Sequence, residues 1–233
     1  MIFSLIIPCY NEEKNLPLLL ERCITLQHHN FNIEVILVDN GSTDNTQDVL
    51  NKLLPNYPNC RSIRVEKNQG YGHGIISGLK EAKGEIIGWT HADLQTDPND
   101  VLMGIKLIQN NTHNVFIKGK RYGRPIADVF FTMGMSIFES ILLRTPLWDI
   151  NAQPTMFSKE FFAKWENPPK DFSLDLYAYY QAKLSNLLIK RFPVKFSERT
   201  HGISHWNISW AAKKKFIIRT VEFSLELKSR LKP

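Results

Sequence analysis

Long apolar runs are missing from this chain of 233 residues. Nowhere do about 18 consecutive apolar residues occur, the length a spanning helix needs, so the sequence does not read as one that crosses a bilayer. Cysteine is scarce. Cys9, Cys23 and Cys60 are an odd number without metal-ligand spacing, which speaks against a disulfide frame and favours free thiols in a reducing compartment. Each reads as a small core residue. No basic leader or small-residue cleavage site precedes Ile2 to Pro8, so the start reads as a first buried strand rather than a signal peptide, and a cytoplasmic location is expected. Internal repeats and low-complexity linkers are also absent, and one domain over 1–233 is the expectation. What is present is ordinary for a globular protein: 43% hydrophobic and 22% charged residues, in a chain long enough to bury roughly 70% of its unfolded surface.

The formal net charge is +6, and residues 213–233 alone carry seven Lys and Arg against Glu222 and Glu226. The excess is therefore a property of the tail. It suits anionic lipid or another acidic surface, or equally a solvated helix face; nucleic acid is not an expected partner.

Apolar runs and amphipathic stretches alternate through the first half. Phe3–Pro8, Ile33–Val38, Ile63–Val65, Glu85–Trp89 and Val115–Lys118 read as strands; Glu12–Leu26, Thr43–Leu54, His73–Ala82 and Pro98–Gln109 read as helices. Thr96 or Asp97 before Pro98 supplies an N-cap and first-turn proline. This alternation predicts an α/β fold with a mostly parallel central sheet flanked by helices. The second half is less regular, with an apolar block Val129–Leu143, a helical pattern Leu174–Leu184, a strand pair around Leu188–Phe196 and a C-terminal helix from about Ile208.

In an open sheet of this kind ligands sit outside the carboxyl ends of the strands. Four such ends are polar or glycine-bearing: Pro8-Cys9-Tyr10-Asn11-Glu12, Asp39-Asn40-Gly41-Ser42, Asn68-Gln69-Gly70-Tyr71-Gly72-His73-Gly74 and His91-Ala92-Asp93-Leu94-Gln95. These ends resemble the donor site of family-2 glycosyltransferases, and the donor that resemblance implies, a nucleotide diphosphate sugar, needs a carboxylate for base or ribose, close backbone approach to the diphosphate, and a hard cation to neutralise it. Asp39 suits the first task, although Asp39 to Asp44 would serve equally as a turn and helix cap. Asp93 and Gln95, two apart on an extended segment, would point to one face and reach one metal ion through oxygen. His91 would tolerate Mn²⁺ better than Mg²⁺ as a third ligand, or donate to a ribose or phosphate oxygen. The glycines Gly70, Gly72 and Gly74 allow close backbone approach, or form a plain turn; without a following Gly-Lys-Ser/Thr they are not the phosphate loop of NTPases.

These four motifs in this order resemble the inverting family-2 glycosyltransferases of GT-A fold, a Rossmann-like architecture, and especially the subgroup of polyprenyl- and dolichyl-phosphate sugar synthases. The resemblance is dense over the first half. It implies donor contacts from Pro8, Tyr10, Asn11, Glu12, Asp39, Asn68, Gly70, Ala92 and Asp93, and a divalent cation, Mn²⁺ or Mg²⁺, on Asp93, Gln95 and His91. Two acids usual in the family are replaced here, by Asn40 and His91. The late segment Arg199-Thr200-His201-Gly202-Ile203-Ser204 is similar to a signature in which Arg199 and Ser204 would close over the donor diphosphate.

Lys118-Gly119-Lys120-Arg121-Tyr122-Gly123-Arg124 puts four cations into seven residues directly after a strand. Such a cluster can hold a phosphate or merely be solvated. The resemblance assigns acceptor phosphate to Arg121, with Lys120 and Arg124 beside it. Asp149, in Asp149-Ile150-Asn151-Ala152-Gln153-Pro154, is the candidate for a catalytic base or an acceptor-orienting carboxylate, or else a turn residue. A sugar hydroxyl benefits from such a base, whereas a lipid phosphate, already anionic, needs cations instead.

Wound as a helix, Val129 to Leu143 has a broad apolar arc opposite Asp128, Thr132, Ser136 and Glu139, which suits either a membrane interface or an ordinary core. The C-terminal helix, residues 206–233, mixes Trp206 and Trp210 with lysines and suits an anionic membrane or a homodimer interface. The halves divide as donor (1–120) and acceptor (121–205). The leading expectation is transfer from a UDP- or GDP-sugar to a membrane-borne acceptor, polyprenyl phosphate or a lipid-linked saccharide, at the cytoplasmic membrane face. A soluble glycan or protein hydroxyl is the alternative acceptor, and a nucleotide-sugar-binding module without catalysis the alternative class.

Overall fold

A computed structural model describes residues 2–29, 31–109, 114–202 and 210–229. Seven strands form one sheet: β1 (Ile2–Cys9), β2 (Asn32–Asp39), β3 (Cys60–Arg64), β4 (Ile86–Trp89), β5 (Val115–Tyr122), β6 (Thr155–Ser158) and β7 (Leu188–Lys195), in the spatial order β3-β2-β1-β4-β6-β5-β7. All neighbours run parallel except β6, which is antiparallel to both β4 and β5. Helices α1 (Leu16–Ile24), α2 (Thr46–Leu53), α3 (Tyr71–Glu81), α4 (Val101–Gln109), α5 (Ile126–Leu142), α6 (Lys159–Ala163), α7 (Leu174–Leu184) and α8 (Trp210–Ser229) flank it. The mostly parallel sheet with flanking helices and a C-terminal helix is the architecture expected from the sequence.

Strand β1 shows why a near-continuous apolar run is required here. Phe3, Leu5 and Ile7 enter one core with α1, α2 and α4, while Ile6 enters a second core with α3, α6 and α7, because alternate side chains face opposite sides of the sheet. The N-terminus of the proline-led turn at residue 98 is capped by Asp97, whose carboxylate accepts from the Asn99 N–H at 2.9 Å.

One expectation needs correction, and one open alternative narrows. The segment around Leu188–Phe196 is one strand, β7, paired in parallel along its whole length with β5, not a pair of strands. Helix α5 turns its polar strip inward: Ser136 and Glu139 are buried, while Ile126, Phe130 and Ile141 are 75%, 67% and 74% exposed. Its apolar arc is thus not a core surface among the described residues. No described helix is long and apolar enough to cross a membrane.

Register places the business ends together. Cys9 lies beside Asp39, and Ile6 beside Trp89, so the chain leaves β1, β2 and β4 at one edge. Strands β5 and β7 end alongside each other at Tyr122 and Lys195, and antiparallel β6 begins at the same edge, bringing 149–154 to it.

Candidate active site

A cleft of about 510 Å³ opens at this edge. One wall carries Pro8 at the end of β1, Tyr10 and Glu12 just after it, Asn40 after β2, and Asn68 and Gly70 before α3. His91, Ala92, Asp93 and Gln95 follow β4 into it, Arg121 and Arg124 enter from the end of β5, and Arg199 from beyond β7. The sequence-predicted residues therefore share one cavity, with exceptions. Asp39 is fully buried behind Asn40, its carboxylate bonded to Arg64 at 2.9 Å and to the Ser42 N–H at 2.9 Å. Asn11, with φ of 57°, ties two loops together: its N–H donates to Ser42 Oγ and its side-chain oxygen accepts from the Thr43 N–H. Lys120 is exposed on β5 outside the cleft lining, Asp149 lies behind Arg121, and Ser204 falls outside the described residues.

The glycines are occupied by protein. Gly70 has φ of 115°, a conformation side chains rarely adopt, and a Cβ there would run into the Lys170 carbonyl; a Cβ on Gly72 would meet the Pro169 carbonyl at 2.6 Å. They let the 169–171 segment pack directly against the start of α3.

Residues 91–95 are not extended. They bend, with Leu94 at φ of 59°, so the same-face argument for Asp93 and Gln95 fails while both still line the cleft. One oxygen of Asp93 accepts from the Gln95 N–H at 3.2 Å and the other pairs with Arg199 at 2.8 Å. The Gln95 amide donates to the Ser197 carbonyl at 3.3 Å, and Ser197 N–H returns a bond to the Gln95 carbonyl. The segment after β7 is thus strapped to this bend. His91 stacks on Tyr71, with centroids 5.7 Å apart, and Tyr71 stacks on Phe172 at 4.9 Å. Burial lowers the His91 pKa against the opposing pull of Asp93 and Asp175, which favours the neutral imidazole with its lone pair. No cluster of three His, Cys, Asp or Glu gathers among the described residues. One carboxylate, one amide oxygen and one neutral imidazole nevertheless form a donor set chemically suited to Mn²⁺. Glu12, nearby, has its pKa raised by burial and by Asp93.

Asp149, at φ of 45°, anchors the cations. It accepts from the Arg121 N–H at 3.0 Å and Nε at 2.9 Å, with Arg124 at 3.8 Å and Arg191 at 3.7 Å. Burial alone would raise its pKa, but the Arg121 charge and hydrogen bonds, aided by Arg191, outweigh burial and lower it. Arg191 is spent on the carbonyls of Gly119, Trp148 and Asp149. Arg121 and Arg124 both lie over the Phe196 ring, at 5.3 and 5.6 Å. Arg124 reaches Thr132 Oγ1 at 2.8 Å, and its Nε is buried without a partner among the described residues.

Sequence reasoning missed Asp175. This residue, in the first turn of α7, lines the cleft and accepts from the Gln153 amide at 2.7 Å, with Lys118 Nζ 3.6 Å away. Lys118 is wholly buried, donates to the Ala152 carbonyl and Thr155 Oγ1 at 2.9 Å each, and burial lowers its pKa to about 8. An acid in a helix's first turn is what the helix dipole favours anyway, so nothing in the pattern marked it.

The profile described as glycosyl transferase family 2 matches residues 4–165. The chain belongs to that family. It is 36% identical over 122 residues to a dolichol-phosphate mannosyltransferase of Pyrococcus furiosus, covering 52% of this chain and 34% of that one. It is 38% identical over 104 residues to an undecaprenyl-phosphate 4-deoxy-4-formamido-L-arabinose transferase of Yersinia enterocolitica, covering 42% and 31%. The matched region spans about a third of the length of these relatives. Among solved structures, glucosyl-3-phosphoglycerate synthase of Mycobacterium tuberculosis, with Mn²⁺, UDP-glucose and phosphoglyceric acid, superposes with a TM-score of 0.75 at 14% identity, covering 100% of this chain and 81% of that one. A mannosyltransferase of Pyrobaculum calidifontis, in complex with GDP-mannose and Mn²⁺, gives 0.68 at 18% identity, covering 96% and 64%. The superpositions show the GT-A fold, and the profile match shows membership of glycosyl transferase family 2.

Proposed function

We propose that the protein transfers a sugar, with inversion, from a UDP- or GDP-sugar to a membrane-borne acceptor, either polyprenyl phosphate or a lipid-linked saccharide. The observation that carries this reading is the meeting, in one cleft, of the donor-motif residues with the cation pair Arg121 and Arg124, beside a helix whose apolar face is exposed. In this reading residues 1–120 hold the donor and 121–205 the acceptor. Tyr10, Glu12, Asn40, Asn68 and Gly70 surround the nucleoside, and Asp39 positions that wall from behind through Arg64 and Ser42. Asp93, Gln95 and His91 would hold a divalent cation, which when bound neutralises the diphosphate and stabilises its departure. Arg199 turns from Asp93 to the diphosphate, with Ser204 beside it.

Arg121 and Arg124 hold the acceptor phosphate, aided by Lys120. Asp149 orients Arg121: a carboxylate pinned by that arginine and held below the ordinary pKa range is a poor proton acceptor but a firm positioning group. The outward face of α5, with α8 beside it, rests on the anionic cytoplasmic membrane surface and brings the cleft to lipid height.

Incubation with labelled UDP- and GDP-sugars, Mn²⁺ and undecaprenyl or dolichyl phosphate in detergent tests the reading. Parallel incubations supply a polyprenyl-linked saccharide and a soluble glycan as acceptors; label in the organic phase with either lipid acceptor is expected, and label only in the soluble glycan, or none with any acceptor, refutes the reading. A second reading, transfer to a hydroxyl of a soluble glycan or protein, is favoured by one observation. Asp175 puts a carboxylate on the cleft wall that Arg121 does not occupy, and it could accept a hydroxyl proton.

A further inference from the structure

Beneath α5 the cleft has a small annex of about 60 Å³. Arg121, Phe131, Thr132, Asn151 and Phe172 line both spaces, and the annex adds Ser136 and Glu139 from the inward face of α5. Glu139 is fully buried, and neither of its carboxyl oxygens has a hydrogen-bond partner among the described residues. On facing α8, the Ser224 hydroxyl is directed to the Thr220 carbonyl at 2.7 Å. A carboxyl left in this state costs the fold stability, and an apolar residue of similar volume would fill the position better. Neither the donor contacts nor the phosphate-binding arginines use it.

We propose that the annex is an acceptor subsite, in which Glu139 accepts a hydrogen bond from a hydroxyl carried close to the phosphate on Arg121 and Arg124. The inference rests on the reading of those two arginines as phosphate-binding. Three features select the class of group. A purely hydrocarbon occupant would leave the carboxyl unpaired, so the occupant brings a donor. An ammonium would enter past the two guanidinium groups, so the donor is neutral. The volume admits a hydroxymethyl-sized substituent and not a whole sugar ring. Of the two acceptors proposed above, the annex therefore fits a phosphate-linked saccharide or polyol better than a plain prenyl phosphate, which has no hydroxyl near its phosphate.

Calorimetric titration with glycerol 1-phosphate, propyl phosphate and inorganic phosphate tests the subsite on the intact chain. On the wild type, glycerol 1-phosphate should bind about tenfold tighter than propyl phosphate, the effect of one hydrogen bond to a buried carboxyl. Glu139→Met should bring the two within about twofold by weakening glycerol phosphate alone, whereas Glu139→Gln, which keeps an acceptor oxygen, should retain part of the preference. Equal affinities on the wild type, or a preference that survives in Glu139→Met, overturns the subsite. Arg121→Gln should weaken both organic phosphates equally; if it weakens neither, or if no phosphate binds the wild type, the phosphate reading itself fails.

Discussion

Raising the pH from 5 to 8 should destabilise the protein through Glu139, and the size of the loss follows from its surroundings. Burial pushes this carboxyl from an ordinary 4.5 to about 7 in the fold, against an opposing contribution from Ser224. Below the lower value it is protonated in both folded and unfolded chains and contributes nothing. Between the two values the unfolded chain releases a proton that the fold retains, so stability falls as pH rises, and above about 7 the loss is complete. At about 1.4 kcal/mol per pKa unit, the interval gives at most about 3.5 kcal/mol, or roughly 7–14 °C in Tm for a chain of this size. Other groups titrate in the same range. His91, lowered by burial, acts with the opposite sign below its unfolded value; Asp100, raised to about 6, acts with the same sign in a lower window; Lys118, lowered to about 8, acts only at higher pH. All three remain in Glu139→Gln, so the difference between the two proteins isolates the carboxyl. Urea denaturation of both at half-unit pH steps should show the variant gaining on the wild type from about pH 5 to 7 and then holding level. A difference that stays constant across that range would refute the assignment of Glu139 as an acid raised by burial.

Three further outcomes are expected. Because Arg199 pairs with Asp93 at 2.8 Å, Mn²⁺ alone should bind weakly, and Arg199→Gln should tighten nucleotide-free Mn²⁺ binding severalfold in electron paramagnetic resonance titrations. Gly70→Ala combines a positive φ with a collision at the Lys170 carbonyl, so a loss of about 2 kcal/mol or more by denaturant titration is expected. Asp149→Asn removes the countercharge of a nearly buried Arg121 and should cost about 3 kcal/mol, and in a double-mutant cycle Arg121→Gln should recover much of it, because the isolated cation is the penalty; additive losses would mean the two are not coupled.

The parallel half of the fold was readable because its strands are buried on both faces and so appear as unbroken apolar runs between amphipathic helices. Strand β6 left no such trace: four residues, Thr155 to Ser158, carry too little periodicity to register, yet their antiparallel insertion between β4 and β5 brings Asp149 to Arg121. At the site, the polar strand ends after β1, β2 and β4 were legible from position alone. What position could not tell is which side chains face the cleft and which brace it. Asp39 and Asn40 are adjacent and chemically similar, but the first is consumed by Arg64 and Ser42 while the second reaches the wall. Asp175 was invisible for the opposite reason, since its contacts come from Gln153 and Lys118, distant in sequence.

Helix α5 shows the limit of periodicity most clearly. The 3.6-residue pattern correctly separates Ser136 and Glu139 from Ile126, Phe130 and Ile141, but a helical moment has no sign relative to the protein. The usual assumption, apolar side inward, fails here because the space under α5 belongs to the cleft. Arg124 reaches Thr132 on this helix, the Asp149 N–H donates to Ser136, and Glu139 lines the annex beside Phe131 and Met135, so the polar strip is engaged on the inward side. The apolar side is then left to the exterior, where its burial requires another surface. On the proposed reading, one sequence feature meets two demands at once: polar groups toward the acceptor, and an apolar face toward the surface that carries it.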